Sequence, residues 1–282
     1  MASIQMIIAM AIFGTIGLFV TGVTVPTAVI SMVRALGGSA LLGLVLLLRK
    51  KPLDKAKIQK NLLPLLLSGI GLGFNWILLF EAYRYTTVAV ATLCYYMAPV
   101  VVILLSPLVL REKPGRGQLI CSAAAVVGAV LISGAAGGGS FKGIALGLAA
   151  AGLYAAIVLT NRFIRGLEPL VTTFAQLAVA AVCMVGYNLL TGALRGLAPT
   201  GAEIGLLAVL AVVHTGLAYL LYFGSLQGLP AQRAAIMSYI DPVVAVLLSA
   251  LVLHQPMSIP QIVGTVLILG AALISELLPK EQ

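Results

Sequence analysis

The sequence predicts an all-α integral membrane protein with ten transmembrane helices, arranged as two inverted five-helix repeats. Two observations lead to this prediction. The 282-residue chain is 61% hydrophobic and 9% charged, whereas about a quarter of the residues in a soluble globular domain are charged. The apolar segment that begins at Pro99 also returns 143 positions later, beginning at Pro242.

The repeat covers more than one helix. The same offset aligns further pairs, which are Tyr96 with Tyr239, Phe80 with Phe223 and Pro26 with Pro169. We therefore predict two homologous halves, residues 1–136 and 137–282. If each half holds an odd number of spans, the second half must lie in the bilayer with the opposite orientation.

Ten apolar runs are long enough to cross a bilayer, since a helical span needs about 20 predominantly apolar residues. We predict spans over residues 3–22, 27–48, 61–83, 87–110, 117–134, 143–161, 170–190, 203–223, 231–253 and 258–277. Turn or charge signals separate these runs. In chain order they are Val25-Pro26, the stretches 49–52, 84–87, 111–114 and 137–139, Glu168-Pro169, the stretch 199–201, Leu229-Pro230 and Gln255-Pro256. The first span has no basic segment before it, so it is predicted to be retained and not cleaved as a signal peptide.

Lysine and arginine predict the orientation, because cytoplasmic loops carry an excess of them. A cytoplasmic amino terminus places 13 of these residues on the cytoplasmic side and 3 on the outer side, which are Arg84, Lys142 and Arg195. We therefore expect a multi-pass protein of a prokaryotic plasma membrane with both termini in the cytoplasm. The basic loop from Arg49 to Lys60 is expected to lie beside anionic membrane lipid.

Composition also argues against other classes. The net charge of +9 does not predict a nucleic-acid partner, because no soluble segment is long enough to form a basic binding face. The three cysteines, Cys94, Cys121 and Cys183, lie in apolar runs without metal-ligand spacing and are expected to be small core residues. No metal, cofactor or catalytic residue is predicted, and both a monomer and a homodimer remain open.

Four ionisable residues inside the spans are candidates for function, since charge in lipid is expensive unless it faces a cavity or a partner. They are Arg34, Glu81, His214 and Asp241. Asp241 could line a substrate path or cap a half-helix, and His214 could contact substrate or be a satisfied core histidine. Arg34 and Glu81 could form an ion pair near the outer mouth or bind the two ends of a zwitterion. Asp241 or Glu81 is also the candidate for a coupling proton, because burial favours a neutral carboxyl group.

Two prolines at matching depth predict kinks, since Pro99 and Pro242 cannot bond the carbonyls four residues earlier. They are candidate hinges, or else fixed bends that shape packing. Helical spacing around them predicts a small or polar stripe, with aromatic residues on neighbouring faces and spans. The full set of predicted substrate contacts is Arg34, Asn75, Trp76, Glu81, Tyr95, Tyr96, His214, Tyr219, Ser238, Tyr239 and Asp241.

The third to fifth spans carry a family resemblance. The pattern Leu79-Phe-Glu-Ala-Tyr-Arg-Tyr, Ala98-Pro99, Leu110-Arg-Glu-Lys-Pro and Gln118-Leu-Ile, with its second copy around Asp241-Pro242 and Gln261-Ile-Val-Gly, resembles the repeat of the ten-helix drug/metabolite transporter superfamily, EamA branch. The acidic residue after the fourth span is Glu112 in the first half, but Gln255 takes its place in the second. Similar proteins export amino acids and other small metabolites, and some import nucleotide sugars or quaternary amines.

The resemblance implies a secondary transporter of small metabolites that works by alternating access, with export of amino acids or similar small zwitterions expected first. Import of a quaternary amine such as choline is the alternative within that class. An intramembrane enzyme or lipid-handling protein is the alternative of another class. The sequence has no His-Glu-x-x-His, no Gly-x-Ser-x-Gly and no paired intramembrane carboxylates at metal-binding spacing, so we do not expect an enzyme.

Overall fold

The computed structural model describes residues 1–50, 53–111, 114–134, 141–226, 228–229 and 231–277. Within these ranges the chain is all-helical, and no strand is present. The helices are α1 (Ala2–Gly14), α2 (Ile16–Thr21), α3 (Thr27–Leu48), α4 (Lys55–Lys60), α5 (Leu62–Tyr85), α6 (Val88–Tyr95), α7 (Ala98–Val109), α8 (Arg116–Gly134), α9 (Phe141–Asn161), α10 (Pro169–Thr191), α11 (Gly201–Ala211), α12 (Ala218–Leu226), α13 (Ala231–Ser238), α14 (Ile240–Leu251) and α15 (Ile259–Leu277). A π-helical turn, Val212–Leu217, joins α11 to α12. Several residues used in the sequence analysis lie outside the described ranges, namely Lys51, Glu112, Lys113, Gly137 to Gly139, Pro230 and Lys280.

The ten predicted spans each correspond to one helix or to consecutive helices. In the described residues, seven helical stretches are long and apolar enough to cross a membrane. Three shorter apolar stretches, Arg116–Ile132, Ile236–Leu251 and Ile259–Ser275, account for the fifth, ninth and tenth spans. The prediction of an all-α membrane protein is confirmed.

Helix packing follows a pattern that is unchanged when the two halves are exchanged. The third span (α5) packs on the sixth (α9), and correspondingly the eighth (α12) packs on the first (α1). The second span packs on the seventh, the fourth on the ninth and the fifth on the tenth. Such pairing is what a twofold relation between two halves would produce, while the opposite membrane orientation of the halves stays a prediction.

The fourth and ninth spans are interrupted beside their prolines. The fourth span breaks between Tyr95 and Ala98, directly before Pro99, and the ninth breaks at Tyr239, shortly before Pro242. A proline has no N–H to continue the helical hydrogen bonds, which explains why both breaks fall here. The interruptions occur at matching positions, and their movement as hinges stays a prediction.

The first span is also interrupted, which the sequence analysis did not predict. Helix α1 ends at Gly14, and the hydroxyl of Thr15 donates to the carbonyl of Ile12 at 2.7 Å. Such side-chain bonds to the preceding turn often bend helices. Gly14 lies against the ninth span, because a Cβ there would be 2.6 Å from the carbonyl oxygen of Asp241. The first span therefore packs directly on the ninth span at its break.

Candidate functional site

The broken helices surround a cavity of about 350 Å³. Its wall is formed by the first four spans together with the sixth, eighth and ninth. Eight of the eleven predicted substrate contacts line it, and so does Pro99. The eight are Arg34, Trp76, Tyr95, Tyr96, Tyr219, Ser238, Tyr239 and Asp241.

Arg34 is the cation of this cavity and is only 2% exposed. Its Nε donates to the hydroxyl of Thr215 at 3.0 Å. Its guanidinium carbon lies 4.2 Å from the centre of the Trp76 ring and 5.1 Å from that of Phe80. No carboxylate oxygen of a described residue lies within 4.0 Å of it, and its two terminal nitrogens donate to no described residue. A buried charge is costly unless it has a partner. The edge of the guanidinium that its two terminal nitrogens form is therefore suited to bind an anion.

Asp241 is the carboxylate of the same cavity and lies in the first turn of α14, next to the break. Its Oδ2 accepts a hydrogen bond from the Tyr96 hydroxyl at 2.9 Å. No nitrogen of Arg34 lies within 4.0 Å of a carboxyl oxygen of Asp241, although both residues line the wall. The cavity therefore presents a guanidinium group and a carboxyl group that do not pair with each other directly.

Tyrosine rings form much of the remaining wall. Tyr95 packs on Tyr154 with 5.3 Å between ring centres, and Tyr96 packs on Tyr239 with 6.4 Å between them. The Tyr95 hydroxyl donates to Oδ1 of Asn75 at 3.4 Å. Such electron-rich rings can stabilise an ammonium group through cation–π contacts.

Three predicted contacts, Asn75, Glu81 and His214, do not line the cavity. Asn75 is fully buried, and its amide donates to the Ala150 carbonyl at 2.7 Å. Through its bond with the Tyr95 hydroxyl it supports Tyr95 from outside the cavity. Glu81 accepts from the Thr27 hydroxyl at 3.1 Å. Glu81 makes no ion pair with Arg34, so the predicted Arg34–Glu81 ion pair is wrong. The reason is that Glu81 lies at the end of the bundle, beside the first residue of α3.

His214 has protein partners on both ring nitrogens. Nε2 lies 2.7 Å from the Thr15 hydroxyl, Nδ1 lies 3.3 Å from the Val209 carbonyl, and the ring packs on Phe19 with 4.6 Å between centres. It is 2% exposed. In this structure His214 has the surroundings of a core histidine and connects the eighth span to the break in the first.

The sequence analysis missed several residues of the site, and two of them, Tyr154 and Thr215, carry polar groups. Tyr154 lines the cavity from the sixth span, and Thr215 holds Arg34 from the π-helical turn. Neither residue type is unusual in an apolar span, and the repeat offset gives them no matching partner, since it aligns them with Ala11 and Leu72. No local signal marked either one.

A bundle of apolar spans around a cavity with ionisable side chains is typical of multi-pass membrane transport proteins. The chain belongs to the EamA-like transporter family, whose family model matches residues 1–134 and 141–276. The resemblance to the drug/metabolite transporter superfamily is thereby confirmed.

Relatives in sequence and a solved structure with a similar fold were also found. The chain is 32% identical over 272 residues to the "Uncharacterized transporter YxxF" of Bacillus subtilis (strain 168), covering 95% of this chain and 86% of the relative. It is 28% identical over 228 residues to "Protein PecM" of Dickeya dadantii (strain 3937), covering 77% and 76%. A crystal structure matches with a TM-score of 0.64 at 21% identity, covering 98% of this chain and 97% of that one, which supports the fold alone.

Proposed function

We propose that this transporter exports small zwitterions, amino acids first among them, by alternating access across a prokaryotic plasma membrane. The observation behind the proposal is that Arg34 and Asp241, which form no ion pair with each other, share one aromatic cavity. A guanidinium edge binds a carboxylate through two parallel hydrogen bonds. Asp241, with the tyrosine rings around it, would hold the ammonium group of the same molecule.

A set of hydrogen bonds, which we name the Ser249 clamp, joins the end of the ninth span to the start of the fourth span. The Ser249 hydroxyl accepts from the N–H of Ala89 at 3.2 Å and donates to Oε1 of Gln255 at 2.8 Å. The same Gln255 oxygen accepts from the N–H of Val88 at 3.2 Å. The end of the ninth span thus supplies partners for N–H groups that the start of α6 cannot satisfy internally.

The opposite end of the fourth span makes no equivalent contact within the described residues. Ser106, which the repeat offset aligns with Ser249, donates to the Val102 carbonyl of its own helix at 2.8 Å. Residues Val88 to Cys94 are at most 5% exposed, whereas Leu108 is 80% exposed. With both termini in the cytoplasm, the clamped end faces outward, and alternating access requires the clamp to open so that substrate can leave.

The second candidate is import of a quaternary amine, and the tyrosine-rich wall is the observation that favours it. A screen of amino acids, amines, nucleosides and sugars for thermal stabilisation in detergent separates the two candidates. A ligand whose binding requires both Trp76 and Arg34 would support the zwitterion. A ligand that binds Arg34→Met with the same affinity as the wild type would support a quaternary-amine substrate.

Counterflow in proteoliposomes tests the transport role of Asp241. Asp241→Asn keeps an oxygen that can accept from Tyr96 but removes the charge, and we expect it to lower exchange about tenfold or more, as for loss of a charged hydrogen bond. Asp54→Asn is the matched control, because Asp54 caps α4 in an exposed loop and asparagine caps equally well. An unchanged exchange rate in Asp241→Asn would remove Asp241 from the binding and exchange of substrate.

A further inference from the structure

The π-helical turn of the eighth span fixes the orientation of the Thr215 hydroxyl. This hydroxyl donates to the carbonyl of Leu210, five residues earlier, at 2.9 Å. A threonine hydroxyl has one proton, so this bond leaves only its lone pairs for other partners. Short π-helical segments occur frequently at functional sites. Here the segment turns a hydrogen-bond acceptor towards the second span.

Arg34 is the group that uses this acceptor. Its Nε donates to Thr215 at 3.0 Å, and Thr215 is fully buried, so water does not compete for the bond. The two helices are in direct contact at this point, because a Cβ on Gly38, one turn after Arg34, would be 2.5 Å from Cγ2 of Thr215. The separation between α3 and the π-helical turn is therefore fixed by packing.

Two constraints together define how the guanidinium faces the cavity. The ring of Trp76, at 4.2 Å, fixes the plane of the group. The bond from Nε fixes its rotation within that plane. A carboxylate can bind a guanidinium through Nε and one terminal nitrogen or through both terminal nitrogens. Because Thr215 occupies Nε, only the edge formed by the two terminal nitrogens remains available.

We propose that Thr215 is a specificity-determining positioning residue, which holds Arg34 so that the site selects a substrate bearing a planar carboxylate over the amine that lacks it. The proposal rests on the proposed function, since it deepens the role given there to Arg34. Thr215 acts on the substrate indirectly, by holding Arg34. Its removal should therefore affect carboxylate recognition and leave recognition of the ammonium end at Asp241 intact.

Binding measurements on purified protein in detergent test the proposal. The probes are the twenty standard amino acids and, for each that binds the wild type, the amine that lacks its carboxylate. Thr215→Val removes the hydroxyl at nearly constant volume, and we expect about a tenfold loss of amino-acid affinity with amine affinity kept within about twofold. Thr215→Ser keeps the hydroxyl and should retain the wild-type preference.

Three results would overturn the inference. Thr215→Val with both affinities unchanged would show that Thr215 does not orient Arg34, and an equal loss of affinity for amino acid and amine would show a merely structural role. A wild type that binds no amino acid would overturn this inference and the proposed function together. Arg34→Met separates the two: if it loses carboxylate binding and Thr215→Val does not, only the inference about Thr215 fails.

Discussion

Glu203 is a single side chain that joins two segments at the clamped end of the bundle. One of its carboxylate oxygens accepts from the N–H and hydroxyl of Thr24, at 2.8 and 2.6 Å. The other accepts from the N–H and hydroxyl of Thr200, at 2.9 and 3.0 Å. The second pair forms a capping box at the start of α11, and the first pair ties that start to the turn between the first and second spans.

Glu203→Gln should lower the melting temperature of the protein in detergent by several degrees. Glutamine has one oxygen in place of two, so it can no longer accept from both threonines. Glu81→Gln is the matched control, because among the described residues Glu81 accepts a bond from Thr27 alone, and the glutamine oxygen can accept it instead. Equal melting temperatures for Glu203→Gln and Glu81→Gln would contradict this account.

Residue type alone predicted much of the cavity and failed where the partner lies far along the chain. Arg34 and Asp241 were found because an ionisable group in a span demands a reason. Glu81 and His214 met the same criterion, and Asn75 was predicted as a further polar contact, but the partners of these three residues are Thr27, Thr15 and Ala150, which composition cannot reveal. Thr215 shows the opposite case, since a residue that is ordinary in an apolar span acquires its role from the backbone turn around it.

Helix boundaries were predictable where they depend on local chemistry. Apolar length and proline positions gave the ten spans and the breaks beside Pro99 and Pro242. The break at Thr15 and the π-helical turn carry no proline. Both depend on how neighbouring spans pack, so they could not be predicted from a local pattern.

Gly38→Ala tests the contact between α3 and the π-helical turn. The added Cβ would meet Thr215 at 2.5 Å, and overpacking of this kind costs about 1–3 kcal/mol. We expect a lower melting temperature together with weaker amino-acid binding, because the Arg34 anchor is displaced.

Gly152→Ala is the matched control, since Gly152 lies inside α9 with nothing within 4 Å of its added Cβ. Alanine is favoured over glycine in a helix by about 0.5–1 kcal/mol, so this variant should be slightly more stable than the wild type. A Gly38→Ala protein as stable as Gly152→Ala would show that the two helices can separate freely.

The two ends of the bundle differ, because the Ser249 clamp joins the fourth and ninth spans at one of them. This difference predicts how the bundle responds to loss of the clamp. Ser249→Ala leaves the N–H of Ala89 without its partner in the closed arrangement, which should favour opening by about 1 kcal/mol, or roughly fivefold. A cysteine at Ala245, on the cavity wall, would report the opening in a background with Cys94, Cys121 and Cys183 replaced.

Labelling of intact cells with a membrane-impermeant maleimide provides the measurement. Faster labelling is expected with Ser249→Ala, and no change with Ser106→Ala, whose hydroxyl donates to the Val102 carbonyl of its own helix. If labelling instead accelerates in inside-out vesicles, the predicted orientation is reversed. If neither preparation responds, the clamp does not limit access to the cavity.

Helices α8 and α15 pack closely on each other, and neither contributes a described residue to the cavity wall. A Cβ on Gly128 would be 2.7 Å from the carbonyl oxygen of Gly264, so the two backbones cross in contact. Val127 and Ile262 project from this pair with 53% and 51% exposure. Spin labels or fluorophores attached at these two positions would leave the ligand chamber chemically untouched, giving spectroscopists a way to follow relative movement of the halves during turnover.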